Sequence, residues 1–361
     1  MKKISSLFAL ILIVSSFLVA CGGAGQTEEQ QLGKEDPAEE VEVLELYTTI
    51  FPLEDFANKI GGDFVNVTNL VPIGADAHTF EPTAREMISV AEGDAFIYNG
   101  AGLEGFVDAL IETLEDEGVA IVKASEGIDF IDYGDDHSDG HEEEHEEHGH
   151  EEEHDHEHEE HGHEEEHEEH GNEKEHDHEE DHEHDHSHDE DPHVWLDPIH
   201  SITLAENIKN TLIELLPEQE EIFTSNFEEV KTELEAIDSE FQAMVDAAAK
   251  DTFFVSHAGY GYWEERYGIH QIGISGISPT NEPSQRQLQD IIQLANENGL
   301  EYVMFEQNIP TKVADVVKDE VGAEALYLHN LEALVAEDVD NGEDYFSLMR
   351  KNIEALGTAL Q

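Results

Sequence analysis

The sequence predicts an α/β fold: two βα-repeat lobes joined by one long spine helix, with a cleft between the lobes. Three observations carry this. Short apolar runs alternate with helical patterns in both halves of the chain, as expected of βαβ units on a parallel sheet. The 33 residues Glu218–Lys250 contain no Gly or Pro. A length of 361 residues allows about two domains.

The elements follow in order. Val43–Thr49 reads as a strand and Pro52–Ile60 as the helix after it. Phe64–Val71 is a strand, Thr83–Ala91 a helix, Ala95–Tyr98 a strand, Leu103–Glu115 a helix and Val119–Lys123 a strand. These belong to the first part of the N-terminal lobe, residues 43–134, and residues 192–217 complete that lobe with a helix from Asp197-Pro198 to about Leu216. The spine, 218–250, spans about 50 Å if fully helical. Its apolar positions Ile222, Phe227, Val230, Leu234, Ile237, Phe241 and Val245 recur every three to five residues and define one buried stripe. The C-terminal lobe, 251–361, repeats the alternation. It reads as Thr252–Ser256, a helix around Gly259–Tyr267, Ile269–Ile274, Ser284–Asn298, Tyr302–Phe305, Thr311–Glu320, Ala325–Leu328 and Tyr345–Leu356.

Charge narrows the function. There are 16 Lys+Arg against 88 Asp+Glu, a formal net charge of -72. A chain this acidic is not expected to bind nucleic acid, because phosphate contacts need Lys and Arg. Electrostatic docking on anionic lipid is disfavoured for the same reason. The single cysteine excludes an internal disulfide framework and a cysteine-based zinc finger.

Residues 1–20 read as a signal peptide, with Lys2 and Lys3 ahead of an apolar run from Leu7 to Ala20. Leu18-Val19-Ala20-Cys21-Gly22-Gly23 resembles a bacterial lipobox, which makes Cys21 the lipidation site and an anchor to the cell membrane. Residues 21–42 then form a flexible, lipid-anchored tether rich in Gly, Gln and Glu. The folded part is expected outside the membrane and close to it.

Residues 135–191 form a compositional island of 18 His and 31 Asp+Glu, with no Leu, Ile, Val, Phe, Trp or Tyr. Such a tract cannot build a core and is expected to be disordered. The string His-Glu-x-x-His begins at His141, His150, His163, His178 and His182. A zinc-protease reading of it is rejected, because that signature needs a helix with a packed face. The tract can still offer many weak metal sites.

Only six histidines lie elsewhere, and three of them fall in or beside predicted strand-to-loop junctions: His78, His193 and His257. Glu332 follows the strand Ala325–Leu328. Ligands of open α/β sheets gather beyond the carboxyl ends of the strands. Three imidazoles and a carboxylate suit tetrahedral Zn²⁺. Spacing alone leaves open that each is an ordinary hydrogen-bonded or surface histidine.

The strings around these residues resemble the zinc-specific solute-binding lipoproteins of bacterial metal ABC transporters. Pro192-His193-Val194-Trp195-Leu196-Asp197-Pro198 is the most specific of them. Gly74–Pro82 around His78, Asn99-Gly100-Ala101-Gly102-Leu103-Glu104, Ser256-His257-Ala258-Gly259-Tyr260 and Glu282-Pro283-Ser284 are similar to other family segments. The resemblance covers about 43–134 and 192–361. It implies a metal cleft between the lobes, with His78, His193, His257 and Glu332 as ligands. In Leu328-His329-Asn330-Leu331-Glu332, His329 and Asn330 replace the family's usual Asn-Pro, so His329 is the alternative fourth ligand. Manganese-binding relatives use two His with two carboxylates, and a His at 257 favours zinc over that set.

The implied function is extracytoplasmic capture of Zn²⁺ and delivery to an ABC transporter permease, by a monomer that is not an enzyme. The alternatives are another divalent metal, a zinc hydrolase with an open water position, or an adhesin-like surface lipoprotein.

Overall fold

The computed structural model describes residues 43–114, 116–132 and 190–361. The signal peptide, Cys21, the tether and the island from 135 to 189 lie outside the described residues.

Two four-stranded parallel sheets form the lobes. In the first, β1 (Leu44–Thr48), β2 (Val65–Asn69), β3 (Ala95–Tyr98) and β4 (Ala120–Lys123) lie in the order β2-β1-β3-β4. In the second, β5 (Thr252–His257), β6 (His270–Ser275), β7 (Tyr302–Glu306) and β8 (Glu324–Leu328) lie in the order β6-β5-β7-β8. The two orders are the same plan repeated. In each, the chain reverses direction across the sheet between its first and third strands. That reversal opens a crevice at the strand carboxyl ends.

Local chemistry explains the elements. In β1, Leu44, Leu46 and Thr48 are buried while Glu45 faces out, the period of two that a strand requires. The helix α1 (Phe51–Gly61) carries Pro52 in its first turn and buries Phe51, Leu53, Phe56, Ala57 and Ile60. Thr83 caps α2 (Ala84–Ala91) in a reciprocal capping box with Glu86. Asp197 caps α4 (Pro198–Leu215), accepting from the backbone N–H groups of Ile199 at 2.7 Å and His200 at 3.2 Å.

The predicted spine is α5 (Glu220–Ala247), entered by a 3₁₀ turn at Pro217–Gln219. Its buried stripe is Phe223, Phe227, Val230, Leu234, Ile237 and Phe241. Ile222, placed on that stripe from sequence, is 41% exposed. Alternate steps of four and three from Phe223 keep one face inward, and Ile222 lies one residue, roughly 100°, off it. The spine does not stand alone. One continuous apolar core joins α1, α4, α5 and α10 (Tyr345–Ala359) with residues of both sheets. Two smaller clusters lie apart from it, one around Phe96 and Leu110 and one around Phe254 and Val303.

Three larger differences from the sequence expectation stand out. The helix α3 (Val107–Leu114) starts four residues late. Gly100, Ala101 and Gly102 all have positive φ, and the Glu104 carboxylate accepts from the N–H groups of Asn99 and Gly100, so this stretch is a turn and not a first helical turn. The short helix α9 (Ala336–Asn341) is an element the apolar pattern did not reveal. The island's assigned end, 191, is too late. Glu190 pairs with Asp132 in an antiparallel bridge, and Asp191 is fully buried.

The remaining helices, α6 (Gly261–Tyr267), α7 (Gln285–Asn298) and α8 (Lys312–Val321), connect the strands of the second sheet. Among the described residues no helix is long and apolar enough to cross a membrane.

Candidate metal centre

The second lobe presents its switch point directly. His257 is the last residue of β5, Glu306 the last of β7, and these two strands pair. The first lobe supplies its imidazoles from loops. His78 lies between β2 and α2, held by an Asx turn in which Asp76 Oδ1 accepts from the His78 N–H at 2.9 Å. His193 follows the bridge at Glu190 and opens a 3₁₀ turn over Val194–Leu196. Asn99, at the end of β3, fixes that segment by donating from Nδ2 to the Pro192 carbonyl at 2.9 Å.

Glu332 is set by a loop with a left-handed residue. Leu331 has φ 62 and is fully buried. For a non-glycine residue that conformation costs about 1–2 kcal/mol and is held by its surroundings. Asn330 Oδ1 accepts from the Glu332 N–H at 3.2 Å, and His329 Nδ1 accepts from the Leu331 N–H at 2.9 Å. The first lobe also grips this loop. Trp195 Nε1 donates to the Asn330 carbonyl at 2.8 Å, and the Phe51 N–H donates to the Glu332 carbonyl at 2.9 Å.

These loops bring four side chains together. One donor atom from each of His78, His193, His257 and Glu332 lies within 4.8 Å of the other three. His193 Nε2 is 3.2 Å from His78 Nε2 and 3.3 Å from His257 Nε2. Glu332 Oε1 is 3.4 Å from His78 Nε2 and 3.8 Å from His193 Nε2. Bonds of about 2.0 Å at tetrahedral angles would space ligand atoms about 3.3 Å apart. Four of the six donor pairs are already at 3.2–3.8 Å, and the other two lie within 4.8 Å. Glu332 Oε1 is buried with no hydrogen-bond partner, as expected of an oxygen reserved for a cation. His193, His257 and Glu332 are buried, while the His78 side chain retains 8% exposure.

His329, the alternative ligand, is not in this group. Its Nε2 lies 3.1 Å from Asp338 Oδ2 and its Nδ1 is occupied by the Leu331 N–H. Its role is to shape the loop that aims Glu332. Gly259 makes room for the imidazoles, since a Cβ there would stand 2.6 Å from His257 Nε2.

Two carboxylates behind the cluster were not read from the sequence. Asp191 Oδ1 lies 2.7 Å from His193 Nδ1, and Glu306 Oε2 lies 2.7 Å from His257 Nδ1. Glu306 had a legible signal, an acid at the carboxyl end of an apolar strand. Asp191 was hidden by the acidic tract it terminates.

Burial and charge shift these groups in different directions. Burial holds His193 well below the ordinary histidine range, and its imidazole neighbours reinforce this. Burial also opposes charge on His257, but the Glu306 carboxylate prevails and raises it. Burial pushes the Asp191 carboxyl up to about 7. Burial works upward on Glu332 too, yet His78, His193 and His257 outweigh it and bring it down to about 2.

Known proteins share this plan. Over 357 residues the chain is 31% identical to the zinc-binding lipoprotein AdcA of Streptococcus pneumoniae, covering 99% of this chain and 60% of AdcA. It thus spans about 60% of the length of that relative. It is 30% identical over 359 residues to the high-affinity zinc uptake system protein ZnuA of Bacillus subtilis, covering 99% of this chain and 98% of that protein. The Zn(II)-bound ZnuA-like domain of S. pneumoniae AdcA has a TM-score of 0.66 and 27% identity, covering 88% of this chain and 99% of the domain. Residues 46–359 match the family described as ZnuA, zinc-uptake complex component A periplasmic, and the chain belongs to that family.

Proposed function

We propose that this protein captures Zn²⁺ outside the cytoplasm and hands it to the permease of an ABC transporter, with the ion as cargo held by His78, His193, His257 and Glu332. The observation that carries the reading is four protein donor atoms within 4.8 Å of one another, four of their six separations being 3.2–3.8 Å. Nitrogen-rich donors with one carboxylate suit Zn²⁺ better than harder, oxygen-seeking ions. A fourth protein ligand also leaves no open position for a reactive water, which favours carriage over hydrolysis. The membrane attachment proposed through Cys21 agrees with the lipoprotein named among the relatives.

The fit extends to charge. Asp191, Glu306 and Glu332 are buried around the cluster, and among the described residues none of them pairs with Lys or Arg. Buried carboxylates without a counter-charge are costly, and a divalent cation would offset them.

The test is competition with a chelator strong enough to empty weak sites. One tight Zn²⁺ per chain is expected. His193→Ala removes a fully buried donor that lies within 3.8 Å of the other three. Structural zinc sites contribute roughly 10–16 kcal/mol across four ligands, so losing one should weaken Kd about 100-fold or more. An unchanged Kd would remove these residues from the site.

A further inference from the structure

We infer that Asp191 and Glu306 are positioning residues, one from each lobe, that fix the tautomers of His193 and His257 so that both Nε2 lone pairs face the cluster. The inference rests on the zinc reading for its purpose, but its geometry is independent of any ion.

Each carboxylate oxygen is identified as an acceptor by a donor that cannot be anything else. Asp191 Oδ1 accepts from the backbone N–H of His193 at 2.9 Å while lying 2.7 Å from the same residue's Nδ1. Glu306 Oε2 accepts from the backbone N–H of His257 at 3.1 Å and from the Ser256 hydroxyl, and it lies 2.7 Å from His257 Nδ1. An oxygen already accepting from a backbone amide presents lone pairs to the ring, so Nδ1 supplies the proton. In a neutral imidazole that leaves Nε2 bare.

The Glu306 carboxylate is itself held at its second oxygen. Tyr260 donates its hydroxyl to Glu306 Oε1 at 3.0 Å. Among the described residues Asp191 Oδ2 has no hydrogen-bond partner, and Gly261 leaves room for it, since a Cβ there would stand 2.6 Å away. Both carboxylates are fully or nearly fully buried, and the His193 and His257 rings have no exposure. His78 has no corresponding carboxylate at hydrogen-bond distance from its Nδ1 among the described residues. Two of the three imidazoles are therefore aimed before the ion arrives.

The full chain is tested in two ways. Nitrogen-15 NMR of metal-free protein reads the tautomers without any variant. At alkaline pH, where the rings are neutral, His193 and His257 are expected as Nδ1–H forms, and Nε2–H forms would overturn the inference. Zn²⁺ affinity is then measured by chelator competition for Asp191→Asn and Glu306→Gln, which keep size and remove charge. Loss of the carboxylate behind a histidine ligand should weaken binding about 10–100-fold. Kd values within about twofold of wild type, with the wild-type tautomers retained, would also overturn it. Should the unmodified chain lack a tight zinc site, the capture reading fails, while the tautomer spectra still decide this one.

Discussion

At the scale of single residues, the four candidate donors differ in how readily they shed protons. Burial keeps His193 neutral, and Glu332, at about 2, is ionised at any physiological pH. His257 is different, because the Glu306 carboxylate raises it and a proton competes more strongly for the ring. Asp191, at about 7, adds a second competing proton, since a metal-bound His193 favours the ionised carboxylate behind it. Zinc affinity should therefore rise as pH increases through about 7 and fall as it drops, with protons released on binding. Chelator competition at about pH 6 and about pH 8, with calorimetry in two buffers of different ionisation enthalpy, checks this. A flat profile would contradict the assignment of these groups. The convergence of the three histidines and Glu332 was legible because each sits in a distinctive string near a strand end. Asp191 and Glu306 were not, because a supporting carboxylate is defined by the ring it touches and not by a pattern.

At the scale of elements, apolar periodicity gave nearly every strand and helix, including α5 from a run free of Gly and Pro. Two of the misses share one cause, local hydrogen bonding that overrides pattern. Glu104 folds back onto Asn99 and Gly100 and delays α3, and Asp132–Glu190 pairing extends order into the acidic tract. The spine's end nearest the second lobe is fixed by aromatic packing. Phe241 stacks on Tyr267 with ring centroids 4.0 Å apart and meets Trp263 at 4.9 Å. Phe241→Ala should cost ~3–5 kcal/mol of stability. Thermal unfolding would show this as a lower midpoint, with zinc Kd of the folded protein unchanged at 25 °C. A midpoint within about a degree of wild type would mean that this junction does not stabilise the fold.

At the scale of the molecule, the long insertion begins and ends at one place. Asp132 and Glu190 are bridged, and the Asp191 N–H donates to the Ile131 carbonyl at 2.9 Å. Removing 137–188 should leave the fold and one tight zinc site, while total zinc stoichiometry falls. Metal analysis of the shortened chain checks both halves, and unchanged stoichiometry would deny the tract any metal. The latching of the lobes has a wider consequence. Tyr262 Oη and Trp263 Nε1 of the second lobe donate to the Asp191 and Leu196 carbonyls, each at 2.7 Å, and Arg266 pairs with Asp197. From the other side, the Phe51 and Gly74 N–H groups and the Trp195 indole hold the 330–334 loop. At about 1 kcal/mol for each such bond, a clam-shell swing that severed all six would be populated less than about once in ten thousand molecules. Cargo should then load with hardly any change in outline, and small-angle X-ray scattering of the tract-deleted chain should give one radius of gyration with and without zinc.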